Sequence, residues 1–481
     1  MKLHTLIFAG MGLGAVAGLG LWSMGDGAPL YASAMWFLDL VGKTLFVGSL
    51  KMLVAPLIFA SIVAGVTSLP SRRDLGRLGR RAFFYYAATT SVAVLIGLIF
   101  VNVLQPGRWE AADKISSSRA THLEQVEREF LAERGVQIEE RLRGLSQSEA
   151  LEERARIEAK YHPEFLERVA ELEQSGMQGD ASARYEKIQQ RKQTPLNFVT
   201  DILQGMIQNP FKALAFNSSL GIIFFAILLG LACMAVGEPA APVVSFFQGL
   251  NAVIMQITHW IMSLSPVAVF ALVAGLIARQ GPDVFGTLAG YVVTVIAAIG
   301  VHVVFLLFVC AKLGGLSPLT FLKGIQDAWL IAFSTRSSAA TLPVTMECLE
   351  ENLGIPKKVT EFVLPIGATV NMDGTALYEG VAVIFLLQMF GAMPDVGISL
   401  GVTAMVLIFL TAVLASVGAA AVPDAGLITM VLVANAVGLP EYYLVYIFSV
   451  DALLDMFRTS TNVMGDAVGA VVVNRFEEQP A

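Results

Sequence analysis

Three groups of polar residues interrupt otherwise apolar sequence, and each carries side chains suited to a small charged ligand. The run Asp451-Ala-Leu-Leu-Asp455-Met-Phe-Arg458-Thr459-Ser-Thr-Asn462-Val-Met-Gly-Asp466 separates its Asp, Arg and Asn residues by four, three, four and four positions. That spacing lays all five along one helical face. Arg458 offers a fork to a carboxylate and Asp455 an anion to an ammonium, so a ligand with both groups, an acidic amino acid, fits. An Asp455–Arg458 salt bridge that only staples the helix is the bland alternative. The second group is Asn371-Met-Asp373-Gly-Thr375, followed by Tyr378-Glu379. Asn371, Asp373, Asn462 and Asp466 supply hard oxygen donors, which suit a hard cation, and no Cys or His joins them. Gly374 is expected to let the backbone unwind there and offer carbonyls. Glu379 lies eight residues past Asn371, about two turns along the same helix, as a lone carboxylate placed to carry a proton. The third group, Ser334-Thr-Arg336-Ser-Ser338, is followed by Pro343 and reads as the tip of a hairpin.

Such groups need a scaffold that holds them out of water, and the composition supplies one. Of 481 residues, 55% are hydrophobic and 15% charged, with a mean hydropathy of +0.67; soluble domains carry about 25% charge. Of the 71 charged residues, 33 fall between Arg108 and Lys192. The rest of the chain therefore reads as an all-α polytopic membrane protein, which excludes a disordered chain and argues against a soluble enzyme. No Ser/His or His/Glu metal constellation supports intramembrane hydrolysis. A net charge of −7 without a basic stripe excludes nucleic acid as a partner. Cys233, Cys310 and Cys348 lie far apart in apolar surroundings and imply neither disulfides nor zinc. The five histidines complete no ligand spacing.

The apolar run Leu6–Trp22 is too long for a signal peptide. Its Gly12-x-Gly14-x-x-Ala17 lacks the βαβ context of a dinucleotide site, so these glycines are read as helix-packing positions. Further apolar segments cover about 32–69, 82–104, 199–236, 241–278, 285–312, 325–347, 359–390, 397–440 and 443–473. Polar breaks at Ser334–Ser338 and Gly418–Gly426 survive at membrane depth only where protein or a water-filled cavity covers them. Arg72, Arg73, Arg77, Arg80 and Arg81 mark a cytoplasmic connection, and Lys357 and Lys358 stay inside only if 325–347 enters and returns. The expectation is eight transmembrane helices plus two opposed re-entrant helical hairpins, with both termini cytoplasmic. Four parts follow: helices one to three (1–106), a charged extracytoplasmic insertion (107–195), helices four to six (196–316) and a core with both hairpins (317–481). Within the insertion, Leu123, Val126 and Phe130, then Ile138, Leu142 and Leu145, then Phe165, Val169 and Leu172 recur at helical spacing. It reads as solvated amphipathic helices, or alternatively as a subunit or partner contact.

The run Arg336-Ser-Ser-Ala-Ala-Thr-Leu-Pro343, the Asn-Met-Asp-Gly-Thr motif, Val422-Pro-Asp-Ala-Gly426 and Asp455-x-x-Arg-Thr-x-x-Asn-x-x-Gly-Asp466 occur in one order. Together they resemble the dicarboxylate/amino acid:cation symporter family, over the whole chain except the insertion. The resemblance implies a homotrimer in a plasma membrane (the inner membrane of a bacterium), taking up aspartate or glutamate with sodium by an elevator movement, with no bound cofactor. It implies substrate contacts from Ser338, Thr375, Asp455, Arg458, Thr459 and Asn462 and from the main chain of Arg336 and Val422. It implies sodium ligands among Tyr86, Thr89, Thr90, Asn371, Asp373, Asn462 and Asp466, with the second hairpin as gate. Glu379 matches the proton-carrying glutamate of the family's animal branch. An acid at Asp455 favours an amino acid over a pure C4-dicarboxylate; a neutral amino-acid carrier and an anion-conducting channel are the other readings. Three positions depart from the pattern: Ala339 replaces a hairpin serine, Ala421 a tip glycine, and Asp424 adds an acid to the gate.

Overall fold

A computed structural model describes residues 3–25, 28–67, 79–134, 136, 141, 156–157, 160–162, 164–165, 168–169, 203–204, 206–216, 219–417 and 425–478. Every regular element among them is helical, which places the chain in the all-α class. In order these are α1 (Leu3–Met24), α2 (Pro29–Asp39), α3 (Gly48–Thr67), α4 (Arg80–Leu104) and α5 (Glu110–Glu133). Next come α6 (Pro210–Ala215), α7 (Ser219–Val236), α8 (Ala241–Ser263), α9 (Ser265–Gln280) and α10 (Asp283–Val309). The C-terminal part holds α11 (Pro318–Gly324), α12 (Gln326–Thr335), α13 (Ser338–Glu347), α14 (Lys357–Val370), α15 (Asp373–Phe390), α16 (Val402–Val417), α17 (Ala425–Val437) and α18 (Val445–Glu478). Five stretches among the described residues are long and apolar enough to cross a membrane: Leu6–Met24, Arg80–Arg108, Glu238–Thr258, Asp283–Gly314 and Lys357–Phe390.

The N-terminal glycines do pack helices, although not as a pair. A Cβ on Gly10, Gly14 or Gly18 would lie 2.3, 2.6 or 2.8 Å from the backbone oxygens of Pro266, Phe270 and Ala274, whereas Gly12 faces open space. The stripe at i, i+4 and i+8 therefore lets α1 lie flush on α9.

The polar residues belong to a core built around α15, whose residues are buried except at Gln388. The helices α4, α10, α16, α17 and α18 surround it. A helix with no wet face needs no amphipathic pattern, which accounts for its unbroken apolar sequence. Two pairs of consecutive helices, α12–α13 and α16–α17, each pack side by side in this core, and α12 packs on α18. The first turns at Arg336, a non-glycine residue at φ 56°, while Ser337 caps α13 by accepting from the Ala340 amide at 3.2 Å. The tip of the second, 418–424, lies outside the described residues and takes Ala421, Val422 and Asp424 with it.

Helix α5 packs on α10 and α15 and buries Leu123 and Phe130. Phe165 and Val169 are buried too, whereas Ile138, Leu142, Leu145 and Leu172 lie outside the described residues.

Candidate functional site

Helix α18 is continuous, so the five-residue stripe does share one face, and it divides into two ends. At one end Arg458 is fully buried. Its Nη2 donates to Asp455 Oδ1 at 2.8 Å, and its Nη1 lies 3.0 Å from Asp451 Oδ1. The second contact is an ion pair without hydrogen-bond alignment, so Nε and Nη1 have no acceptor among the described residues. Arg336 reaches in from the first hairpin, with Nη1 3.6 Å from Asp455 Oδ2. Two cations thus balance two anions, and the Tyr378 ring lies 4.0 Å from the Arg458 guanidinium carbon. Helix α17 approaches the same group: a Cβ on Gly426 would sit 2.6 Å from Arg458 Nη1. Ser338 opens α13 and Thr459 follows Arg458, and both are buried.

The other end is built on a helix break. Between α14 and α15, Asn371 and Met372 leave helical geometry (φ −93°, ψ 84° and φ −111°, ψ 50°). Gly374 is not where the chain unwinds. It lies in the first turn of α15, where a Cβ would come 2.6 Å from the Arg458 carbonyl oxygen, so its role is close backbone approach. Thr90 Oγ1 donates to Asp373 Oδ1 at 2.6 Å. Thr89 Oγ1 lies 3.3 Å from the same oxygen and 3.4 Å from Asn371 Oδ1. Asn371 Nδ2 donates to Asp466 Oδ1 at 2.9 Å, and Tyr86 donates to the Val363 carbonyl at 3.1 Å. A Cβ on Gly367 would come 2.6 Å from both the Tyr86 hydroxyl and Asp466 Oδ1, so those two oxygens converge there.

Asp373 and Asp466 are buried, and no lysine or arginine pairs with either among the described residues. Apart from the His302 ring, 3.0 Å from Asp373 Oδ2, no side chain among the described residues can offset these buried carboxylates; such burial is costly, so this end favours a small cation. The donors are carboxylate, amide, hydroxyl and carbonyl oxygens, and no cluster of three or more His, Cys, Asp or Glu accompanies them among the described residues. That set suits an alkali ion better than a transition metal.

Asn462 joins the two ends. Its Oδ1 accepts from the Gly374 amide at 2.8 Å, its Nδ2 donates to Thr375 Oγ1 at 3.2 Å, and its carbonyl lies 3.3 Å from Asn371 Nδ2. Glu379 is fully buried two turns along α15 and accepts a short bond from Thr429 of the second hairpin. Its Oε2 has no hydrogen-bond partner among the described residues.

Two participants escaped the sequence reading. Asp451 belonged to the stripe without a role, yet it is an ion-pair partner of Arg458. His302, dismissed with the other histidines for want of ligand spacing, is fully buried with Nε2 3.0 Å from Asp373 Oδ2. An ionisable side chain inside the apolar run Val295–Val309 was itself the available signal.

Long apolar helices around buried, charge-bearing helix breaks define a multi-pass membrane protein with a transporter-like core. The profile of the sodium:dicarboxylate symporter family matches residues 3–133 and 168–476. The chain is 37% identical over 477 residues to human excitatory amino acid transporter 2, covering 98% of this chain and 78% of that one. It is 35% identical over 487 residues to excitatory amino acid transporters of Caenorhabditis elegans and Onchocerca volvulus, in each case over 99% of this chain and over 88% and 90% of theirs. The chain belongs to the sodium:dicarboxylate symporter family, and so is a transporter rather than an enzyme.

Proposed function

We propose that the protein takes up acidic amino acids, aspartate or glutamate, as a secondary active symporter coupled to sodium and, through Glu379, to protons. The observation that carries this reading is the buried Arg458: it is balanced by Asp451 and Asp455, yet its Nε and Nη1 have no hydrogen-bond acceptor among the described residues. A ligand carboxylate supplies those acceptors, and Asp455 receives the ligand ammonium. Ser338, Thr375, Thr459 and Asn462, with the main chain of Arg336 and Val422, complete the substrate contacts. Asn371, Asp373, Asn462, Asp466, Tyr86, Thr89 and Thr90 hold sodium. The relatives' names as excitatory amino acid transporters support the same substrate class.

In this reading eight helices span a plasma or bacterial inner membrane, α12–α13 and α16–α17 are re-entrant, and both termini are cytoplasmic. The first 106 residues and 196–316 supply six spans, 107–195 is extracytoplasmic, and 317–481 is the transport core. Three copies assemble, and each core moves as an elevator with the second hairpin as gate. Uptake of labelled aspartate into proteoliposomes, under separately imposed sodium, proton and potassium gradients, tests this. Saturable uptake against the aspartate gradient, driven by inward sodium, is the expected result. Passive, non-saturating flux would point to a channel, and succinate taken up in preference to aspartate would replace the substrate.

A further inference from the structure

The hairpin α16–α17 is entered through 391–401 and left through 438–444, and a buried polar cluster ties these two feet together. Asp395, on the entry foot, is 5% exposed. Both tyrosines of the exit foot donate to it: Tyr443 lies 2.9 and 3.1 Å from its two carboxylate oxygens, and Tyr442 makes a short bond to Oδ2. The end of α15 also stacks on the exit foot, with the Phe390 and Tyr443 ring centroids 4.3 Å apart. Asn435, near the end of α17, donates to Glu441 at 2.8 Å. Burial pushes the Asp395 carboxyl up, and the Tyr442 hydroxyl, the Arg119 charge and the Tyr443 hydroxyl oppose that rise. Arg119 does not belong to the core sequence. It projects from α5, the first helix of the charged insertion, with its guanidinium carbon 5.9 and 5.7 Å from the Tyr442 and Tyr443 ring centroids. The phenols are therefore flanked by a carboxylate at their hydroxyls and a cation at their faces, both of which orient the rings.

We propose that Arg119 is a positioning residue for the second hairpin: it balances Asp395, keeps both tyrosine bonds in place, and so fixes the separation of the hairpin's two feet. The charged insertion then has a task, which is to brace the gate from outside the core. This inference rests on the reading of α16–α17 as the gate. A gate with loosened feet populates its closed, ligand-holding arrangement less, so apparent affinity falls in proportion while the loaded carrier moves as before.

The test uses the full-length protein as wild type, Arg119→Gln, Arg119→Lys, Asp395→Asn and the Arg119→Gln/Asp395→Asn pair. One readout needs no ligand: hydrogen exchange at the amides of Val396, Gly397, Ile398 and Tyr443, whose bonds lie within the two feet, and of Gly438 and Leu439, which tie the exit foot to the end of α17. The other is KM and kcat for labelled aspartate in proteoliposomes. Arg119→Gln is expected to speed exchange at these amides and to raise KM, each by about tenfold, with kcat within about twofold. Arg119→Lys should restore most of both, and Arg119→Gln should add nothing once Asp395 is Asn. Unchanged exchange in Arg119→Gln, or an equal effect in the Asp395→Asn background, overturns the proposal. Wild-type protein that takes up no acidic amino acid, but whose exchange responds as described, refutes the transport reading and leaves the brace standing.

Discussion

Replacing Arg458 with Cys separates what the arginine does for a ligand from what it does for the fold. A ligand carboxylate on Nε and Nη1, which have no hydrogen-bond acceptor among the described residues, gains two charge-assisted hydrogen bonds, each about 1.5–3 kcal/mol. Part of that gain is lost again, because a third anion beside Asp451 and Asp455 weakens the contacts at 3.0 and 2.8 Å. A surplus of about 1.4 kcal/mol is already tenfold in affinity, so aspartate binding should weaken at least tenfold. The same substitution strands Asp451, and an uncompensated buried charge costs about 3–5 kcal/mol. Arg336 stays beside Asp455 and moderates only that half of the loss. The informative protein is therefore Asp451→Asn/Arg458→Cys, which removes the stranded carboxylate together with the arginine. Thermal unfolding in detergent should show the pair regaining most of the stability that Arg458→Cys loses. Equilibrium binding should show aspartate still weakened at least tenfold, with a neutral amino acid of similar size now competing. Wild-type aspartate affinity in the folded pair would refute the assignment of Arg458 to the ligand.

Asp455→Asn should weaken aspartate far more than succinate, because only aspartate has an ammonium to lose its partner; equal losses would make Asp455 a structural mate of Arg336 and Arg458. Gly426→Ala places a methyl group 2.6 Å from Arg458 Nη1 and must displace the guanidinium. Aspartate KM should rise about tenfold or more while sodium dependence at saturating aspartate stays put, and an unaltered KM would show that the second hairpin does not close on Arg458 during binding. Glu379→Gln keeps a side chain that Thr429 can bond but removes the titrating group, so sodium-driven uptake should persist and stimulation by an inward proton gradient should vanish. Equal stimulation in the variant would move the proton elsewhere, and no stimulation in wild type would leave sodium as the only driver.

The parts of the site that were legible in the sequence are those where a local rule leaves a mark. The α18 stripe follows from helical spacing alone, and the hairpin tip at Arg336 follows from polar residues followed by a proline. The break before α15 was legible in kind but misplaced. Gly374 suggested the unwinding, whereas the chain leaves helical geometry at Asn371 and Met372 and uses the glycine to approach Arg458. Contacts between distant segments left no such mark. Thr429 lies 50 residues from Glu379, His302 lies 71 from Asp373, and Arg119 approaches Tyr443 from the insertion. No periodicity encodes those meetings, because they arise when α10, α17 and α5 close around α15.

The arrangement also bears on how cation and substrate could be coupled, and it does so through one residue. Coupling requires that filling one site change the free energy of filling the other. Asn462 bonds the Gly374 amide, Thr375 and the Met372 sulfur with its side chain and faces Asn371 with its carbonyl. Every one of those partners lies at or beside the break between α14 and α15. A cation that draws Asn371 Oδ1 and Asp373 Oδ1 into its shell fixes that break, and with it the Asn462 and Thr375 orientations proposed to meet the ligand. Without the cation, Asp373 and Asp466 repel across the break, and the ligand binds without that restraint. The path is short: Asn462 stands one helical turn from Arg458 and one from Asp466. On this argument sodium should raise aspartate affinity in wild type. Asn462→Ala should keep some affinity for each ligand while uncoupling them, so that aspartate binding no longer strengthens as sodium rises. Aspartate binding that still strengthens with sodium to the wild-type extent in Asn462→Ala would place the coupling elsewhere in the core.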